Sequence, residues 1–263
     1  MPEVREAHIR LEPADAAGVA TLRISNPGKM NALNLGMWRE LRAVFDVVQR
    51  ADAPPRVIVV RGADREFVAG ADIEEFPQFR FEPESLAAYH EDVLAPALHA
   101  MLDCDVPLLA HIEGACIGGG LAIAACCDLR LCEPASRFGV PIARLGFPMA
   151  PAEVEIVSHI IGQTLLRELL IEARLMGAAE ARDRGLVTRV VDADRLDEEV
   201  RRVAGHIAGL SPQAMRLNKR VLRAFARPSF SEPEDRAAHY EYADSDEHRE
   251  GTAAFIEKRP ARF

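Results

Sequence analysis

No stretch of this chain approaches the ~18 uninterrupted apolar residues of a membrane-spanning helix. Met1 to Leu11 carries charges throughout and lacks the apolar run of a secretory signal, so neither membrane insertion nor export is expected. A CxxC pair and an HExxH motif are also missing, which removes the usual sequence signatures of a zinc site, and no metal is expected. Cysteines are few: Cys104, Cys116, Cys126, Cys127 and Cys132. An odd number without framework spacing reads as free thiols in a reducing, cytoplasmic setting. Excess positive charge is lacking as well. Asp and Glu number 41 against 32 Lys and Arg, for a net charge of −9. That disfavours a nucleic-acid partner, which needs clustered cations to displace counterions. It leaves a small anionic ligand possible, because a few local cations and helix N-termini can hold one. Tandem repeats and low-complexity segments are absent too.

What is present is an ordinary globular composition. The 263 residues are 49 % apolar and 28 % charged, enough for one large domain or a domain with an appendage. Residues 19–24 alternate loosely and read as a strand, broken by Asn26-Pro27-Gly28. Leu35, Trp38, Leu41, Val44, Phe45 and Val48 recur at helical spacing until Pro54-Pro55. Val57 to Val60 is a β-branched run, expected as a buried strand. A helix is predicted over Ser85–Leu102 with a possible kink at Pro96. A strand follows at Leu108–Ile112, then a short helix at Leu121–Cys126 and a strand at Leu129–Cys132. Helical patterns cover 152–161, 164–173 and 178–184, and Leu186–Val191 reads as a strand. From Arg195 onward only helix patterns occur. Strands mixed with helices and then helices alone predict an α/β core over 1–199 and a helical region over 200–263.

Two segments carry candidate chemistry. Arg65 to Ile73, after the Val57–Val60 strand, contains Ala69-Gly70-Ala71, where small side chains let a ligand approach the backbone. Glu113 to Leu121 contains Gly118-Gly119-Gly120 between a strand and a helix. Glycines opening a helix expose N–H groups at the positive end of its dipole, which suits a developing oxyanion. Cys116 lies in this loop, but no histidine adjoins it to activate a thiol. His111 sits in an otherwise apolar strand and reads as a satisfied core histidine.

Together these segments resemble the crotonase (enoyl-CoA hydratase/isomerase) family. So do Asn26-Pro27-Gly28-Lys29-Met30-Asn31-Ala32-Leu33, the Ala69–Ile73 block, the triple glycine with Cys127-Asp128-Leu129-Arg130, Phe138-Gly139-Val140-Pro141, Gly185-Leu186-Val187 and the tail Phe255–Arg259. The resemblance runs from about Leu22 to Phe263. It implies an α/β fold built as a spiral of ββα units with a C-terminal all-helical region that forms trimers or hexamers. It implies an acyl-CoA thioester as substrate, with coenzyme A as part of the substrate and no separate cofactor. The backbone amides of Ala71 and Gly119 would form an oxyanion hole that stabilises an enolate. Lys29, Ala32, Ala69, Gly70, Asp72, Ile73 and Gly118 would line the path of the CoA moiety and thioester, with Asp72 bracing its loop. Phe255 and Lys258 would reach CoA.

The resemblance also exposes a departure. The two positions at which hydratases of this family carry glutamates are Ala122 and Ile142 here. A third position, where some isomerases and a dehalogenase place an aspartate, falls near Ala150. The remaining carboxylate candidates are Glu153 and Glu113, with Glu155 a weaker one. If Pro151 opens a helix, Glu153 is its third residue, where a carboxylate also interacts favourably with the helix dipole. Three functions compete: an acyl-CoA enzyme with an unorthodox acid, a silent acyl-CoA-binding protein, and a scaffold. The charge of −9 disfavours an RNA-binding scaffold.

Overall fold

The computed structural model describes residues 6–225 and 245–262. The chain begins with β1 (His8–Glu12), which pairs antiparallel with β2 (Val19–Ser25). The alternation His8-Ile9-Arg10-Leu11-Glu12 puts Ile9 into the core, a strand that the sequence reading omitted. Asn34 then caps α1 (Leu35–Arg50), its side chain accepting the Met37 N–H at 2.8 Å. Met37, Trp38, Leu41, Phe45 and Val48 form the buried stripe of α1. After it comes β3 (Val57–Gly62).

The predicted helix over 85–102 is broken into α2 (Pro83–Ala88), a π-helical turn at Tyr89–Leu94, and α3 (Ala95–Asp103). Pro96 has no N–H to donate to the carbonyl one turn back, and its ring crowds that carbonyl. The wider π-turn directly precedes it. The chain continues through β4 (Leu108–Ile112), β5 (Ala115–Ile117), α4 (Gly119–Cys126), β6 (Leu129–Cys132) and β7 (Arg137–Gly139). Then come α5 (Pro151–Ile161), α6 (Gln163–Glu172), β8 (Leu175–Gly177), α7 (Ala178–Asp183) and β9 (Arg189–Val190). The strand expected from Leu186 starts only at Arg189. The N–H groups of Leu186 and Val187 both donate to Ala181 O, closing α7 and burying both side chains. Last come α8 (Leu196–Ala208), α9 (Pro212–Phe225) and α10 (Asp246–Glu257).

Two sheets result. The larger has the order β1-β2-β3-β4-β6-β9, parallel except at β1–β2. The smaller has the order β5-β7-β8. The chain leaves the large sheet, visits the small one and returns through a helix, giving the spiral expected from the sequence. Alternate residues serve opposite faces, as the strand period requires. Ile58, Val60, Leu108 and Ala110 join α1 in the main core. Val57, Val59, Leu109 and Leu131 pack under Leu196, Val200 and Val203 of α8. Position 199/200 therefore falls inside a helix that covers the second face of the sheet. Val203 belongs to this intrachain core and Ile207 packs against it.

His111 lies on the α8 face of β4 and is 2 % exposed. Neither ring nitrogen has a hydrogen-bond partner, so it is not the satisfied core histidine expected. Glu113 and Asp197 oxygens lie 3.7 Å from its two nitrogens. Burial pushes its pKa down to about 4, with Arg61 and Arg65 adding to the shift and Asp197 opposing it. The folded state therefore binds fewer protons than the unfolded chain between pH 4 and 6.5, and stability falls as the pH drops through that window. The loss between pH 7 and pH 5 from this group is about 2 kcal/mol. Urea unfolding at both pH values should show it, and His111→Leu should flatten the dependence. An equal loss in the variant would refute the assignment.

Candidate functional site

The site begins where two chain segments run side by side. Phe67 N–H donates to Glu113 O at 2.8 Å, Val68 N–H to Ala115 O at 2.8 Å, and Ile117 N–H to Val68 O at 3.0 Å. A third segment joins them, with Leu33 N–H donating to Gly70 O and Asp72 N–H to Leu33 O, both at 2.8 Å. These bonds use the backbone on either side of Ala71. Its own N–H has no acceptor among the described residues. The N–H of Gly119, first residue of α4, likewise has none, as expected for a helix N-terminus.

Close packing holds the two amides together. A Cβ on Gly120 would fall 2.4 Å from Val68 O, and one on Gly119 would fall 3.0 Å from Trp38 Cζ2. Gly118 has φ of +53° and Gly70 has φ of +117°, backbone states that side chains disfavour. A Cβ on Gly118 would sit 3.7 Å from Gly70 Cα, so the two glycines meet.

Three other carboxylates stabilise this arrangement. Glu66 accepts the Ala115 N–H at 2.6 Å and Glu133 the Gly114 N–H at 3.1 Å. Asp72 caps the following 3-10 turn by accepting the Glu74 N–H at 3.3 Å and receives Lys29 Nζ at 2.7 Å. Lys29 also bonds Glu74 at 2.7 Å, and these two hydrogen bonds raise its pKa to about 12. At the far end of α4, Arg130 donates to the carbonyls of Cys127 and Ala124 and to Leu186 O. That gives the Cys127–Arg130 segment a structural role.

Ala69, Gly70, Ala71, Ile73, Gly118, Gly119 and Ile142 line one cavity of about 160 Å³. Glu153 lines it too. α5 starts at Pro151, so Glu153 is its third residue. His90, from the π-turn, reaches Glu153 Oε1 with Nδ1 at 2.6 Å. Tyr89 is buried beside them. Desolvation raises its pKa to about 12, with the Glu153 charge contributing, so the phenol stays protonated near neutral pH. Phe76, Phe147 and Arg80 complete the wall. The Arg80 guanidinium carbon lies 4.2 Å from the Phe76 ring centroid and 4.0 Å from that of Phe147. Among the described residues the lining is otherwise apolar or neutral, with Glu153 as its sole carboxylate.

Comparisons with known proteins identify the family. A family model described as enoyl-CoA hydratase/isomerase matches residues 14–263. The chain belongs to the enoyl-CoA hydratase/isomerase, or crotonase, family. It is 31 % identical to a crotonyl-CoA hydratase from Syntrophomonas wolfei, over 93 % of this chain and 94 % of that one. It is also 31 % identical to a mitochondrial Delta(3,5)-Delta(2,4)-dienoyl-CoA isomerase from Mus musculus, over 76 % of this chain and 64 % of that one. A crystal structure described as an enoyl-CoA hydratase/carnithine racemase from Magnetospirillum magneticum superposes with a TM-score of 0.91. It is 38 % identical and covers 97 % of this chain and 94 % of that one.

Within this crotonase the candidates read from sequence separate. Ala71, Gly119 and Glu153 share the cavity. Glu113 does not line it; its carboxylate lies 3.3 Å from Arg61 Nη2 and 3.5 Å from Arg65 Nη2. Glu155, two residues from Glu153 and so on another face of α5, lines a separate cavity with His99 and His159. Ala122 is buried within α4 and off the lining, whereas Ile142 lines it. Ala32 is half-buried, its carbonyl held by Asn26 Nδ2 at 2.6 Å. Lys258 follows α10 and is exposed, with φ of +53°. Phe255 belongs to α10, and its side chain lies outside the described residues. Cys116 is fully buried, and desolvation holds its thiol well above the ordinary value, which removes it as a nucleophile.

His90, Arg80 and Tyr89 were missed as individuals. No periodicity marks a side chain on a π-turn or just past a 3-10 turn, so no sequence pattern singles these residues out.

Proposed function

We propose that the chain binds a short acyl-CoA thioester and transfers a proton at its acyl chain, as an isomerase-type crotonase does. The thioester oxygen accepts the amides of Ala71 and Gly119. Withdrawal of an α- or γ-proton then forms an enolate whose charge rests on those two donors. Glu153 takes the proton and returns it to another carbon, oriented by its bond to His90. A shift of a double bond needs one such group. Hydration also needs a water activated against the β-carbon, and the two family positions for that pair are Ala122 and Ile142. The observation that carries the reading is the presence of Glu153, tied to His90, on the same cavity wall as the two acceptor-free amides. It favours an enzyme over a silent binding protein.

The CoA moiety would follow Lys29, Ala32 and the Ala69–Ile73 block, with Phe255 and Lys258 reaching it from the tail. A phosphate at Lys29 would compete with Asp72 and Glu74. The chain would act in a reducing cytoplasm, its five cysteines being buried free thiols. Among the described residues no helix is long and apolar enough to cross a membrane, and no cluster could hold a metal ion.

We also propose a trimer or hexamer. The support is apolar surface left on the C-terminal helices and α6, with Leu222 72 % and Ile171 84 % exposed. Light scattering at micromolar concentration should return a trimer or hexamer mass. A monomer mass would end this proposal.

For the chemistry, the expected outcome is exchange of the α-protons of butyryl-CoA with D2O, read by mass spectrometry. Hydration of crotonyl-CoA should be slow by comparison. Glu153→Gln should lower exchange ~10²–10⁴-fold while butyryl-CoA still binds in a calorimetric titration. Wild-type exchange in Glu153→Gln would overturn the role of Glu153.

A further inference from the structure

The cation on the cavity wall has no use in the reaction just described. Arg80 follows the 3-10 turn Ile73–Gln78 and is half-buried. Its backbone N–H bonds Phe76 O at 2.9 Å, which anchors the residue beside the ring it covers. Its side chain forms no ion pair or hydrogen bond among the described residues, and its buried Nε is without a partner. A guanidinium carries five N–H donors, and one left without acceptors in a partly desolvated site is costly. The rings of Phe76 and Phe147 offset part of that cost through their faces, but rings accept no directed hydrogen bonds at the guanidinium edge. Glu153, the one carboxylate of the lining, is engaged by His90 and forms no ion pair with Arg80. The guanidinium edge thus lacks a partner in a cavity built to receive an acyl group.

We propose that Arg80 is a specificity residue that receives a carboxylate at the far end of the acyl chain. The substrate class is then the CoA monothioesters of short dicarboxylic acids. The planar guanidinium matches a carboxylate by two parallel N–H···O bonds, and the phenyl rings hold its plane fixed before the ligand arrives. The cavity of about 160 Å³ restricts the chain to a few carbons. With the Glu153 carboxyl group on the same wall, a second carboxylate is best received beside the cation, so Arg80 decides between an anionic and an apolar chain end. This proposal rests on the reading of the cavity as an acyl-CoA site.

The test is calorimetric binding of glutaryl-CoA and valeryl-CoA, which match in chain length and differ in the terminal group. The full-length protein should prefer glutaryl-CoA ~10- to 100-fold, the range of one charge-assisted pair. Arg80→Met keeps much of the packing against the two rings and removes the charge, and should abolish the preference. Arg80→Lys keeps a cation without the fork and should retain only part of it. Equal affinities in the wild type, or a preference that survives Arg80→Met, would overturn the proposal and leave the acyl-CoA reading intact. Failure of both thioesters to bind the wild type would overturn both.

Discussion

The structure depends on one close approach, that of the α4 N-terminus to the strand-like segment around Val68. With a hydrogen in place of a side chain at Gly120, α4 can lie against the Val68 carbonyl; a methyl there would be 2.4 Å from the oxygen. The hydrogen bonds from Val68 to Ala115 and from Ile117 to Val68 hold the same two segments in register. Much of what matters for the site follows from this contact. It fixes where the Gly119 amide emerges, and the bonds of Leu33 to Gly70 and of Asp72 to Leu33 fix where the Ala71 amide emerges. Two donors left without acceptors are tolerable at a surface that a ligand or water can reach, and they are organised before any ligand arrives.

The far wall follows a different logic. The amide side is backbone held by sheet-like bonds, while the wall facing the acyl chain is side chains on irregular turns. Pro96 prevents an ideal helix through the 83–103 region, and the π-turn it favours carries Tyr89 and His90 to the cavity. Irregular helix turns of this kind recur at functional sites because they re-aim side chains. The division also fits the family. Its members in the comparisons carry both hydratase and isomerase names.

Much of this was legible in the sequence. The α1 stripe, the β3 run and the glycine turn each follow one strong local rule, and the family resemblance joined them into a fold. Ala71 and Gly119 could be named because the family resemblance points to them, and small residues and a helix start suit exposed amides there. The missing acids could be named because the resemblance puts their positions at Ala122 and Ile142, whose side chains cannot move a proton. The strand β1 was legible in principle from the alternation at 8–12, but its charged neighbours obscured it. The three-residue strands β5, β7 and β8 are too short to carry a period. Glu113 and Glu153 looked alike in sequence, and only tertiary pairing separates them: the first with Arg61, the second with His90. The far-wall residues obey no period, so no pattern could select Arg80 or His90.

The central claim is that the Ala71 and Gly119 amides converge on one ligand oxygen. The most direct measurement is the infrared carbonyl band of butyryl-CoA labelled with carbon-13 at the thioester, bound to the unmodified protein. Two donors in a desolvated site should polarise the carbonyl and move the band to lower wavenumber than for the same thioester free in water. A bound thioester whose band stays at its aqueous position would contradict the account.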